Sequence, residues 1–104
     1  MKSGSRLERT FRAGKFAVTS EIFPPRTPSE RLLHKRADQV RRHLTAANLT
    51  DNQSATVRIA SLAASRIVLD AGVEPVMQIT CRDRNRMAIQ VDVIGAAALG
   101  IKNI

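Results

Sequence analysis

Segments that read as strands alternate with longer segments that read as helices along the whole chain, and no other feature constrains the fold as tightly. "FAVTSEIF" at 16–23 reads as a first strand, stopped by Pro24-Pro25, which cannot donate ladder hydrogen bonds. "TPSE" at 27–30 then opens a helix. Thr27 is placed to cap it, Pro28 suits the first helical position, and Glu30 completes a capping box. Leu33, Ala37, Val40 and Leu44 recur at helical spacing and form an apolar stripe. "TAANLT" at 45–50 reads as a second strand, "DNQ" as a turn, and Thr56 to Ala71 as a second helix closed by Gly72. "EPVMQIT" at 74–80 is a third strand. A third helix runs from Asn85 to Leu99, with Met87, Val91, Ile94 and Ala98 on one face and Gly100 after it. "IKNI" looks like the opening of a fourth strand, and "LERTFRAG" at 7–14 like a short leading helix closed by Gly14. Such alternation implies a parallel sheet with right-handed crossovers. No Gly-rich phosphate loop follows the first strand, which removes the main support for a dinucleotide-binding fold.

The strand ends narrow the choice further. Side chains alternate faces along a strand. Thr19 and Glu21 share a face in the first strand, Asn48 and Thr50 in the second, Gln78 and Thr80 in the third. Their apolar neighbours, Val18 and Ile22, Ala47 and Leu49, Met77 and Ile79, point the other way, where the helices must pack. An open doubly wound sheet is covered on both faces, so its strands read apolar throughout. Three polar pairs on one face fit a β/α barrel better, with that face toward the lumen and the strand C-termini at a catalytic rim. "EIFPP", "TDNQ" and "TCRDRN" all fall on that rim. Glu21 is the one carboxylate among the inward pairs, and a lone acid in a partly dry lumen suits proton donation.

Composition sets the outer limits. A chain of 104 residues allows one domain, and 43% hydrophobic residues suffice for a packed core. No apolar run is long enough to cross a bilayer, and the basic start, "MKSGSRLERTFRAGK", lacks the apolar centre of a signal peptide. The single Cys81 cannot form an internal disulfide, which fits the cytoplasm. The net charge of +8 favours anionic partners. Much of that charge falls in one helical stretch, at Arg31, Lys35, Arg36, Arg41 and Arg42. A solvated outer helix face explains it, and an anion-facing surface is the alternative. Nucleic acid is disfavoured because the only aromatics, Phe11, Phe16 and Phe23, are not interleaved with the charge.

The remaining chemistry-bearing residues read as structural. His34 and His43 lie on or beside the basic helix without a third ligand at useful spacing. Arg82 and Arg84 flank Cys81, but strand parity points the thiol toward the helices, as a small packing residue. Asp83 stands where it would cap the third helix.

Taken together, "SEIFPPRT", "NLTDNQSATVR" and "EPVMQITCRDRNRMAIQVDVIGAAALGIKNI" resemble the N-terminal part of the methylenetetrahydrofolate reductase family, from about Phe11 onward. The third segment looks most like the branch with "QITCRDRN" where better-known members carry a His-Leu-Thr-Cys stretch. The resemblance implies a (β/α)8 barrel using FAD to reduce 5,10-methylenetetrahydrofolate to 5-methyltetrahydrofolate, with NADH or NADPH as electron donor. It implies that Glu21 is the acid that helps protonate the bridging amine of the folate. It also implies that Thr50 contacts the flavin, and that Gln78 stands where other members have a flavin-contacting histidine.

A whole barrel needs roughly 250 residues. The expectation is therefore one partial domain over 1–104, with a leading basic segment at 1–14, about three βα units and the start of a fourth strand. Such a piece is expected to be inactive alone and to associate, either with itself or with a complementary chain. The competing expectation is a non-catalytic paralogue that uses its basic face as an anion- or partner-binding module.

Overall fold

Three strands, each four residues or fewer, form the centre of the computed structural model, which describes residues 2–104. In chain order the elements are α1 (Arg6–Arg12), β1 (Thr19–Ile22), α2 (Glu30–Val40), β2 (Ala46–Leu49), a 3-10 turn (Gln53–Ala55), α3 (Ser61–Asp70), β3 (Pro75–Met77) and α4 (Arg86–Ala98). The sheet is parallel in the order β1-β2-β3, as the alternation predicts. A further parallel bridge, Val76 to Asn103, begins a fourth position, with the Met77 amide donating to the Asn103 carbonyl at 3.0 Å.

The register explains the core. Ile22, Leu49 and Met77 lie side by side across the sheet, and all are buried. Leu33 and Ala37 of α2 and Ala64 and Val68 of α3 cover Ile22 and Leu49. Met77 packs instead with Ala96 of α4, Ile101 and Leu62. Burying side chains such as Leu33, Leu49 and Val68 stabilises the fold by about 1.5–3 kcal/mol each. Helix α3 touches both α2 and α4, so these three helices line one face of the sheet. On the other face Glu21, Asn48 and Val76 form a row that no helix covers. This one-sided α/β layer is compatible with part of a β/α barrel.

Several local expectations are corrected. Ser29, not Thr27, caps α2, its hydroxyl accepting from the Leu32 amide at 3.3 Å. Pro28 accordingly lies outside the helix. The second long helix starts at Ser61, not Thr56. Residues 56–60 are held across the end of β1 instead: the Ile59 amide donates to Pro25 O at 3.0 Å and Arg58 Nη1 to Pro24 O at 3.1 Å. Helical propensity loses there to tertiary hydrogen bonds. Asn85 caps α4 by accepting from the Ala88 amide at 2.9 Å, while Asp83 pairs with Arg82. The Met87, Val91 and Ile94 face of α4 is exposed. α4 meets the protein through smaller residues, burying Ala96 and setting Gly95 beside Leu62, because small side chains let the helix approach closely.

Two features fix the chain at the other end of the sheet. Gly72 closes α3 at φ +86°, a conformation that side-chain-bearing residues resist. Helix α1 is capped by Ser5 and docked through its first amides. The Glu74 carboxylate accepts from Arg6 N at 2.6 Å and Leu7 N at 2.8 Å, and Arg6 donates to the carbonyls of Thr45 and Leu44. No described helix is long and apolar enough to cross a membrane.

Candidate functional site

The uncovered face of the sheet collects the polar residues at the C-terminal ends of the strands. Glu21 and Asn48 are register partners on it. Glu21 is exposed, and among the described residues its carboxylate makes no hydrogen bond or ion pair. That corrects the expectation of a partly dry setting, because nothing in these residues roofs the face. Thr50 comes next along β2 and is buried, yet its hydroxyl has no hydrogen-bond partner. Gln78 is half-buried just past β3, its amide donating to Leu49 O at 3.1 Å.

Thr80 does not join this row. The strand ends at Met77, and Thr80 turns to Asp51. Asp51 is 3% exposed and accepts from the Thr80 amide at 2.9 Å and the Thr80 hydroxyl at 3.1 Å. Both terminal nitrogens of Arg84 also donate to the Asp51 carboxylate, and Arg84 Nε donates to Asp92 of α4 at 3.0 Å. Burial of Asp51 disfavours its charge, but the bonds from Arg84 and Thr80 outweigh that and hold its pKa below the ordinary carboxylate value. Asp51 is therefore ionised at neutral pH and spoken for, so it is a clamp and not an acid. It fastens the loop after β2 to the loop after β3. Arg82 adds to the junction, donating to Asn52 O at 3.2 Å and to Asp83.

This clamp is the part of "TCRDRN" that sequence reasoning missed. Asp51 and Arg84 lie 33 residues apart, and no spacing rule links them. The available signal was the one acid in "TDNQ" facing several arginines across two strand ends. Cys81 is exposed, contrary to the packing role expected of it. Its parity does not apply, since β3 has already ended at Met77.

The basic helix is mostly a solvated face. Arg31, Lys35, Arg41 and Arg42 are exposed, Arg41 lying 3.7 Å from Asp38. Arg36 differs: it donates to Phe23 O and ties α2 to the end of β1. His34 sits 3.3 Å from Glu30, and His43 is exposed. Among the described residues, no group of His, Cys, Asp and Glu is arranged to hold a metal ion.

Compared with known families, residues 6–104 match the family model described as methylenetetrahydrofolate reductase. The chain belongs to that family. No curated protein matches the chain. Membership makes the sequence that of a folate-related oxidoreductase of one-carbon metabolism, in a family that is generally flavin-dependent. The matched span includes Glu21, Thr50 and Gln78. Of these, Thr50 alone shows a feature that bears on a bound cofactor, a buried hydroxyl without a hydrogen-bond partner. A shielded, unpartnered hydroxyl costs about 1–3 kcal/mol. A hydrogen-bonding group on the edge of a flat ring would answer the Thr50 hydroxyl.

Proposed function

We propose that this chain supplies the first strands of a β/α barrel that reduces 5,10-methylenetetrahydrofolate to 5-methyltetrahydrofolate in the cytoplasm. FAD bound at the strand ends supplies the hydride when reduced by NADH or NADPH. Thr50 and Gln78 hold and orient the flavin by hydrogen bonding. Glu21 gives a proton to the bridging amine of the folate, which opens the five-membered ring to an electrophilic iminium. The Asp51–Arg84 clamp keeps the second and third strand ends, and with them Thr50 and Gln78, at a fixed separation.

The observation that supports this reading best is the position of Glu21. It lies on the open face of the sheet, without a hydrogen-bond or ion-pair partner among the described residues, inside the segment that matches the family. The other acids at the rim, Asp51 and Asp83, are committed to Arg84 and Arg82. The exposed Met87, Val91 and Ile94 of α4 support packing against further βα units or another copy of the chain.

The test is Glu21→Gln in the enzyme that carries this sequence. Folate turnover should fall by about 10²–10⁴-fold, the usual worth of a positioned acid. Reduction of the flavin by the nicotinamide donor should continue. Turnover within a few-fold of wild type would remove Glu21 from the chemistry.

A further inference from the structure

Three arginines stand at or near the rim formed by the second and third strand ends. Arg84 is paired with Asp51 and Asp92, and Arg82 with Asp83. Arg58 has no carboxylate among the described residues. It is held in place all the same: its amide donates to Asn52 Oδ1 at 3.0 Å and its Nη1 to Pro24 O at 3.1 Å. Its Nε is shielded from solvent and unpartnered. A guanidinium carries five N–H donors, and here only one of its nitrogens is engaged. The charge is fixed in position and left unneutralised.

Arg58 lines a cavity of about 270 Å3 with Phe23, Gln53, Ser54 and Thr56. No acid is among these residues, and all but Phe23 offer N–H or O–H donors. Phe23 adds a ring that is 42% exposed. The backbone beneath is unusual as well, with Ser54 and Ala55 at φ 57° and 54°, a region that costs about 1–2 kcal/mol per residue for L-amino acids. Phe23 follows Glu21 by two residues, just past the end of β1, so the cavity begins within about 7 Å of the acid's backbone.

We propose that this cavity is an oxyanion subsite, in which Arg58 binds a carboxylate or phosphate of a ligand whose reacting end lies at Glu21. Donors from Gln53, Ser54 and Thr56 complete the oxyanion's hydrogen bonds. On the folate reading, on which the choice of probe rests, a carboxylate comes from the glutamyl tail. A phosphate comes from the dinucleotide cofactor.

Two variants test the subsite in the enzyme. Arg58→Gln removes the charge. Thr56→Glu puts a carboxylate into the cavity while leaving the Arg58 bond to Pro24, and so covers the case in which Arg58→Gln disturbs the fold. Binding is measured by calorimetry for mono- and pentaglutamyl tetrahydrofolate and for FAD, without turnover. A carboxylate subsite raises Kd for the pentaglutamate about tenfold or more in both variants, with the monoglutamate changing less than twofold. A phosphate subsite instead weakens FAD about tenfold and leaves both folates unchanged. If no Kd moves more than twofold in either variant, the subsite does not exist. Because no result depends on catalysis, a failed role for Glu21 and a failed role for Arg58 are separately visible.

Discussion

Replacing Asp51 by asparagine removes one charge from the clamp and little volume. The oxygen of the new side chain still accepts from the Thr80 amide, but its amide nitrogen faces Arg84 with donor against donor. Breaking a buried pair by removing one partner costs about 3–5 kcal/mol. Here Arg84 keeps Asp92, and its side chain is 16% exposed, so its charge is not stranded. The lower end, about 3 kcal/mol, is therefore expected. With a urea m-value of about 2 kcal/mol/M, the midpoint should fall by about 1.5 M. The protein has no Trp or Tyr, so the transition is best followed by far-UV circular dichroism. Acid dependence gives a second readout. The folded protein lowers the Asp51 pKa from its ordinary 3.8, so this contribution is complete above that value and is lost as pH falls through the lower folded pKa. Wild type and Asp51→Asn should thus differ fully at neutral pH and converge as pH drops below about 4. Arg84→Met should be non-additive with Asp51→Asn by about 1–3 kcal/mol, as expected for residues in one network. A midpoint change under about 0.3 M, or a difference that does not shrink in acid, would show that the clamp does not hold the rim.

Gly72→Ala should cost about 1 kcal/mol from backbone strain alone, since a Cβ at that position meets nothing within 4 Å. A variant as stable as wild type in the same urea titration would contradict the left-handed turn. Random duplex DNA should bind the exposed basic face of α2 weakly, with affinity collapsing between about 50 and 200 mM salt, as purely electrostatic contacts do. Tight, sequence-selective binding at physiological salt would favour a nucleic-acid module over an oxidoreductase.

The alternation of segments foretells the parallel sheet, and Glu21 and Asn48 foretell which face the helices leave bare, whereas the third expected pair, Gln78 and Thr80, lies beyond the end of β3. Both work because they depend on short-range periodicity: Ile22, Leu49 and Met77 are buried, and Glu21, Asn48 and Val76 are not. Boundaries fail where a distant group outbids the local preference. Residues 56–60 have the composition of a helix start but bond to Pro24 and Pro25. The α4 stripe fails for another reason. Periodicity identifies an apolar face without saying that it is the one used, and α4 docks through Gly95 and Ala96 instead. Of the site, Glu21, Thr50 and Gln78 come from resemblance and strand parity. The Asp51–Arg84 pair comes from neither, because strand parity stops at Met77 and the partners meet only once the loops have formed.

Glu74 carries an implication for the order in which the chain assembles. It receives the opening amides of α1 from residues 67 and 68 positions earlier. Closing a loop of that length is entropically costly until intervening structure has shortened it. Helix α1 has seven residues, none of them buried, so it has little means of persisting by itself. The first helix in sequence is therefore among the last to be placed, waiting for β3 to set Glu74 beneath it. Amide exchange at Arg6 and Leu7 should then report the integrity of the third strand, opening whenever β3 leaves the sheet, while α2 and β2 stay protected.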